Sequence, residues 1–232
     1  MSIHVPISIV SDFVCPWCFV GRHNLGKALE SIKERDSRVT FEIHWRPYFQ
    51  NPSLTETVDR ASYYFGKFGE SQFRAMHGEL RAAAKAAGFE IGPVKGKLSP
   101  TIKAHLLMEW AYDKGGWEKA DKLETIIQSK HFHDYLDIGQ DDVLASAAEE
   151  AGFDPNEARK SFENVKTVSD IRDQTRRLAQ WANQLDVTGL PFIVIGDVEE
   201  DDDDAVQFLV GAKDPEVMKL QIESYLTERY QE

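Results

Sequence analysis

The sequence predicts an α/β protein in which a β-α-β unit and a β-β-α unit, at opposite ends of the chain, enclose a large all-helical insertion. Two strands are predicted by alternating apolar residues from Val39 to Trp45 and by the continuously apolar run from Phe192 to Ile195. From about residue 55, helical patterns replace strand patterns for more than a hundred residues. The strands at the two ends must pair, because neither set alone makes a covered sheet.

Local signals place the remaining elements. The first predicted strand runs from Val5 to Val10, and a helix begins after Cys15 because proline is favoured at the first helical position. Within the insertion, Ser99-Pro100 and Asp154-Pro155 predict helix starts. A last strand and a last helix follow Phe192 to Ile195. We expect residues 1–54 and 171–232 to form one domain and residues 55–170 to form the inserted helical domain.

Composition narrows the class of partner. The chain has 232 residues and a net charge of -12, from 39 acidic and 27 basic residues. A field of that sign repels nucleic acid and anionic lipid, so neither is expected as a partner. No apolar run approaches the ~20 residues of a membrane span. The N-terminus shows no basic and apolar secretion signal, which predicts a cytoplasmic protein. The sequence gives no indication of the oligomeric state.

The two cysteines, Cys15 and Cys18, carry the strongest chemical signal. At the start of a helix, free N–H groups and the helix dipole stabilise negative charge on the Cys15 sulfur, which favours the reactive thiolate. Cys18 follows one turn later and is placed to resolve a mixed disulfide, while Trp17 is expected beside the reactive sulfur as a substrate contact. A structural zinc half-site or two inert core thiols are the alternatives, but zinc needs four ligands and no further cysteine exists.

A second motif is Thr188-Gly189-Leu190-Pro191-Phe192. Proline cannot donate a hydrogen bond within a sheet, so Pro191 marks the position just before the buried strand. An ordinary trans proline would satisfy this pattern. In combination with a Cys-x-x-Cys helix, we expect the Leu190–Pro191 bond to be cis.

These motifs in this order resemble DsbA-like thioredoxin-fold proteins, and most closely the FrnE-like branch of dithiol-disulfide oxidoreductases. The resemblance covers nearly the whole chain and implies a thioredoxin fold in which Cys15 attacks substrate and Cys18 resolves. It also implies that Pro191 lies against the sulfurs and that the backbone of Leu190 pairs with an extended substrate. The chain departs from the family where Leu190 and Pro100 replace the more usual valine and asparagine.

Three polar residues are candidates for accessory roles. Asp12 could relay the proton of Cys18, or simply satisfy N–H groups of the turn. Arg46 could bind a carboxylate of an acidic substrate or of glutathione, although a structural ion pair is the simpler expectation. His105 could face the thiol site from the inserted helices, the alternative being a packed histidine.

The sequence therefore predicts thiol-disulfide exchange with protein or small-molecule substrates, with no bound cofactor or metal and with glutathione as a thiol co-substrate. The alternative enzyme is one similar to kappa-class glutathione transferases and 2-hydroxychromene-2-carboxylate isomerases. Those proteins generally have serine at the first active position, so the pair Cys15 and Cys18 argues against it. A redox-inert interaction module is a third interpretation.

Overall fold

A computed structural model describes residues 2–197 and 206–230 of the chain. The elements follow the predicted order, with strands and a helix on either side of a helical block. In chain order they are β1 (Ile3–Ser11), α1 (Pro16–Arg35), β2 (Val39–Pro47), β3 (Val58–Asp59), α2 (Arg60–Phe68), α3 (Glu70–Ala86), β4 (Lys97–Leu98), α4 (Ile102–Phe132), α5 (Asp141–Ala151), α6 (Pro155–Ser161), α7 (Val165–Gln184), β5 (Phe192–Ile195), β6 (Gln207–Val210) and α8 (Pro215–Tyr230).

One four-stranded sheet joins the two ends of the chain, in the order β2-β1-β5-β6. β1 runs parallel to β2 and antiparallel to β5, so that Ile7 lies between Ile43 and Ile195. β6 continues the sheet antiparallel to β5. The pairing of strands from opposite ends of the chain is therefore confirmed.

Apolar residues cover the sheet on both faces. One face packs against α1 and α8 through a core that includes Ile9, Leu25 and Ile222. On the other face, Val10 and Phe192 belong to a smaller cluster with Trp181 of α7. Fully buried positions alternate with partly exposed ones along much of β1 and β2, because successive side chains point to opposite faces and the face against α1 and α8 is the more deeply buried.

The insertion has its own core, built around α4 and completed by α5 and α6. Phe13 and Val14, from the turn after β1, are part of that core and tie the insertion to the start of α1. The expected boundary at residue 171 lies inside α7, which carries the chain back to the sheet. Within the described residues, no helix is both long and apolar enough to cross a membrane.

Two details of the insertion differ from the sequence-based expectation. The short strands β3 and β4 pair with each other, so the insertion is not entirely helical. The helix expected to start after Ser99 begins instead at Ile102. The Ser99 hydroxyl is occupied by hydrogen bonds with Asp137 and Thr57, which removes it as a helix cap.

An acidic side chain lies inside the helical core. Glu124 of α4 is 1% exposed, and its Oε2 has no hydrogen-bond partner among the described residues. Burial raises the pKa of this carboxyl well above its ordinary value, and the nearby Arg22 only partly opposes the effect. The folded protein therefore favours the protonated, uncharged form of Glu124.

A close contact joins α1 to the segment before β5. A Cβ atom on Gly21 would lie 2.6 Å from Cγ of Pro191, well inside van der Waals contact. The absence of a side chain at Gly21 thus lets Pro191 pack directly on the first turns of α1.

We expect Gly21→Ala to destabilise the protein, because overpacking costs about 1–3 kcal/mol and outweighs the ~1 kcal/mol that alanine contributes in a helix. Gly78→Ala is the matched control: Gly78 is exposed in α3, with no atom within 4 Å of an added Cβ. Urea denaturation should show a lower free energy of unfolding for the first variant and a higher one for the second. A Gly21→Ala protein as stable as the wild type would contradict the close contact.

We expect Glu124→Gln to change how stability depends on pH. Since the folded-state pKa is raised, wild-type stability is fully present below the unfolded pKa, near 4.5, and falls as the pH rises towards the folded value. The slope corresponds to about one proton, and the glutamine variant lacks it. The difference in free energy of unfolding, variant minus wild type, should therefore be more positive at neutral pH than at acidic pH. Parallel pH profiles for the two proteins would contradict this assignment.

Candidate functional site

The two cysteines lie at the N-terminus of α1, as predicted. Cys15 is the N-cap residue, with an extended backbone, and Pro16 is the first residue of the helix. The Cys15 amide donates to the carbonyl of Asp12 at 3.0 Å, and the Cys18 amide donates to the carbonyl of Cys15 at 3.0 Å. Both cysteines are free thiols, exposed by only 2% and 1%.

The side chains of Cys15 and Cys18 contact each other, and they differ in electrostatic surroundings. Burial and the adjacent Cys15 sulfur raise the pKa of Cys18 well above its ordinary value. The nearby Ser11 hydroxyl and the Asp12 backbone oppose this effect and lower the pKa of Cys18. These surroundings therefore favour the thiol form of Cys18. Cys15 lies at the N-terminus of α1.

Asp12 and His105 meet next to this turn. The Asp12 carboxylate accepts from the Gln50 amide at 2.8 Å and lies 3.6 Å from Nε2 of His105. His105 Nε2 also lies 3.1 Å from the carbonyl of Tyr48, and its ring packs against Phe13. The inserted helix α4 thus places His105 against the active-site turn, and Asp12 fixes the loop after β2. Their catalytic roles stay predictions.

Among the described residues, Arg46 has no partner for the structural ion pair expected for it. No carboxylate of residues 2–197 and 206–230 lies within 4 Å of its guanidinium; Nε instead donates to the Ser8 hydroxyl at 3.4 Å. Arg46 pairs with Val10 in the sheet register and lines a small cavity with Ser11 and His105. Its role in binding a carboxylate stays a prediction.

The other predicted substrate contacts lie on α1 and on the segment before β5. Trp17 is half-buried and packs near Leu80 of α3. The Leu190–Pro191 peptide bond is cis, and Pro191 contacts α1 at Gly21. Leu190 is half-buried and lines a groove of about 490 Å³.

That groove runs along the segment before β5. Thr188, Gly189 and Leu190 make no backbone hydrogen bond to another backbone group in the described part of the chain. The opposite wall includes Leu178 and Tyr48. An extended peptide laid in the groove would find free backbone donors and acceptors along one side.

Three residues near the thiols were not identified from the sequence. The Ser11 hydroxyl influences the ionisation of Cys18, and Glu124 and Ser11 line one small cavity of about 10 Å³. Burial raises the pKa of the Tyr64 hydroxyl of α2, and the electrostatic influence of Cys15 raises it further. Glu124 could have been noticed as an acid at a core-facing helical position between Leu123 and Ile127; the other two carry no local signal.

Comparison with known proteins agrees with this geometry. The uncharacterized protein YwbO of Bacillus subtilis (strain 168) is 27% identical over 197 residues, covering 85% of this chain and 88% of YwbO. The crystal structure of a probable DsbA oxidoreductase from Streptomyces coelicolor matches with a TM-score of 0.80 and 26% identity, covering 99% of this chain and 93% of that one.

A third similarity concerns the fold alone. The cytosolic disulfide reductase DsbM from Pseudomonas aeruginosa, in a structure with GSH, matches with a TM-score of 0.62 at 16% identity, over 95% of each chain. The family of DSBA-like thioredoxin domains matches residues 6–223. The chain therefore belongs to the DSBA-like thioredoxin domain family.

Proposed function

We propose that this protein is a thiol-disulfide oxidoreductase that uses the Cys15-Pro16-Trp17-Cys18 motif, in the FrnE-like branch of its family. The observation that carries the proposal is the contact between two free thiols at the N-terminus of α1, beside the Pro191 segment and its open groove. Membership of the DSBA-like family supports redox chemistry in general.

Each catalytic cycle transfers two electrons. The Cys15 thiolate attacks one sulfur of a substrate disulfide, forming a Cys15–substrate disulfide and releasing the other sulfur as a thiolate. Cys18 then loses its proton and attacks the Cys15 sulfur, forming the Cys15–Cys18 disulfide and releasing the second substrate thiolate. The substrate disulfide is reduced and the protein is oxidised; the reverse sequence oxidises a substrate dithiol.

The environment of Cys18 orders these two steps. Before attack, the neighbouring Cys15 sulfur disfavours ionisation of Cys18 and adds to the effect of burial. Once the Cys15 sulfur is covalently bound to substrate, it carries no negative charge, and this part of the penalty disappears. Cys18 then ionises more easily, with Ser11 and the Asp12 backbone stabilising its thiolate.

The proposed substrates are proteins and small molecules that contain thiols or disulfides, and the proposed compartment is the cytoplasm. A peptide substrate would add to the free backbone edge at Leu190, with Trp17 on the other side of the sulfur. No bound cofactor is required by this chemistry. Glutathione is proposed as the small thiol that reduces the Cys15–Cys18 disulfide.

Reduction of insulin disulfides by the protein, supplied with a thiol reductant, tests the function. Cys15→Ser should abolish the activity, because the attacking sulfur is removed. Cys18→Ser should instead accumulate a mixed disulfide through Cys15, visible by mass spectrometry and cleaved by excess reductant. Full insulin reduction by Cys15→Ser, or no adduct on Cys18→Ser, would refute the proposal.

The resolving step should accelerate with pH. At stoichiometric dithiodipyridine, the reduced protein should release one thiopyridone in a concentration-dependent phase and a second in a first-order phase. Below the pKa of Cys18 its thiolate fraction grows tenfold per pH unit, so the first-order rate should rise by up to about tenfold per unit. Stopped-flow absorbance follows both phases, and Cys18→Ser, the control, should lack the second. A second phase independent of pH would contradict this role for Cys18.

A further inference from the structure

A cavity opens between the active-site turn and the inserted helices, separate from the groove at Leu190. It measures about 140 Å³. Val14 and Pro16, on either side of Cys15, form part of its wall, and α2 and α3 provide much of the rest. We call it the aromatic pocket, after the six aromatic residues that line it: Trp17, Tyr64, Phe68, Phe73, Phe132 and Tyr135.

The charged residues of this pocket are of one sign. Arg60 and Lys67 line it, and none of its described lining residues is acidic, although the chain carries 39 acidic residues. Two histidines also line it, and burial lowers the pKa of both His77 and His131, which favours their uncharged forms at neutral pH. The pocket is therefore positive and apolar within a protein whose net charge is -12.

Arg60 is buried, and it forms no ion pair with the residues that the structure describes. It is only 6% exposed, and its guanidinium donates to the carbonyls of Lys97 and His131 and contacts Nδ1 of His131. Among the described residues no carboxylate lies within 4 Å of it. A buried charge is costly unless it is paired, so an anion entering the pocket would gain a charge-assisted partner.

Lys67 adds a second cation at the more exposed side of α2. Its ammonium donates to the side chain of Asn51 at 3.1 Å and has no carboxylate partner within the described ranges. It also lies 5.5 Å from the ring centroid of Phe68. A ligand carboxylate near Lys67 would thus sit beside an aromatic wall, which suits an aromatic acid better than an aliphatic one.

The pocket adjoins the residues on either side of the reactive Cys15. Tyr64 lines the pocket, and its hydroxyl is close enough to Cys15 for the sulfur to influence its ionisation. That hydroxyl makes no hydrogen bond to any described residue. It is available as a donor to a bound ligand at the junction between the pocket and Cys15.

We propose that the aromatic pocket selects small disulfides that carry an aromatic carboxylate, with the ring held among the aromatic residues and the carboxylate near Arg60 and Lys67. This inference rests on the proposed function for its chemistry. Cys15 attacks the sulfur attached to the bound ring, and the distal thiolate leaves. Cys18 then attacks Cys15, the ring leaves as the second thiolate, and the Cys18 proton passes to solvent. Two electrons move from the protein dithiol to the disulfide.

Two aromatic disulfides test the preference. The second-order rate constant of the reduced protein is measured with dithiobis(nitrobenzoate), which carries carboxylates, and with dithiodipyridine, which is neutral. Each rate constant is divided by that of the same disulfide with mercaptoethanol, which corrects for the intrinsic reactivity of the disulfide. The normalised rate should be higher for dithiobis(nitrobenzoate), although the negative net charge of the protein alone would favour the neutral disulfide. Arg60→Gln should lower it about tenfold and Lys67→Gln about threefold. The dithiodipyridine rate of each variant should fall by a smaller factor, so that the ratio of the two normalised rates drops in both variants. Arg74→Gln, which removes an exposed cation outside the pocket lining, is the matched control.

A binding measurement separates this inference from the proposed function. Calorimetry of the Cys15→Ser protein should show tighter binding of naphthoate than of naphthalenemethanol, and the difference should shrink in Lys67→Gln. This variant keeps the test open if Arg60→Gln fails to fold. Equal binding of the two naphthalenes, or equal normalised rates with the two disulfides, would overturn the pocket assignment while leaving thiol exchange intact. Naphthoate binding without any thiol exchange would refute the proposed function and with it the disulfide chemistry in the pocket, and would leave only the preference of the pocket for aromatic carboxylates.

Discussion

The position of β1 in the centre of the sheet is the constraint on which the site depends. β1 pairs along its length with β2 and, through residues 7–10, with β5 from the far end of the chain. Val10 lies opposite Phe192, so the last residues of β1 and the first residues of β5 lie at the same end of the two strands. The turn leading to Cys15 and the segment ending at Pro191 are therefore neighbours, whatever is inserted between them. Gly21 completes the arrangement by admitting Pro191 against α1.

The insertion contributes part of the surroundings of the active-site turn, so it does not act as a separate unit. Phe13 and Val14 are buried in the core of the insertion, and His105 of α4 lies against Asp12. The sheet thus fixes the position of the active-site turn, while the inserted helices form part of the surface around it.

Local rules predicted the elements that depend on neighbouring residues. Strand alternation gave β2, and Pro16 gave the start of α1 with Cys15 as its N-cap. The start of α4 was misplaced because the Ser99 hydroxyl is bound by Asp137, a partner distant in sequence. Arg60 and Tyr64 were not identified for a related reason. Only the packing of α2 beside the active-site turn brings them near Cys15, and no spacing in the sequence encodes that.

Net charge and local charge lead to different conclusions about partners. A net charge of -12 argues against polyanions, which contact a large surface. A small anion responds mainly to charges within about 10 Å, because salt screens the others. Around Arg60 the described lining is free of carboxylates, and the low-polarity aromatic walls strengthen any ion pair formed there. A protein of acidic composition can therefore present a cationic pocket beside its reactive sulfur, and the selectivity of the site follows from that local field rather than from the charge of the whole chain.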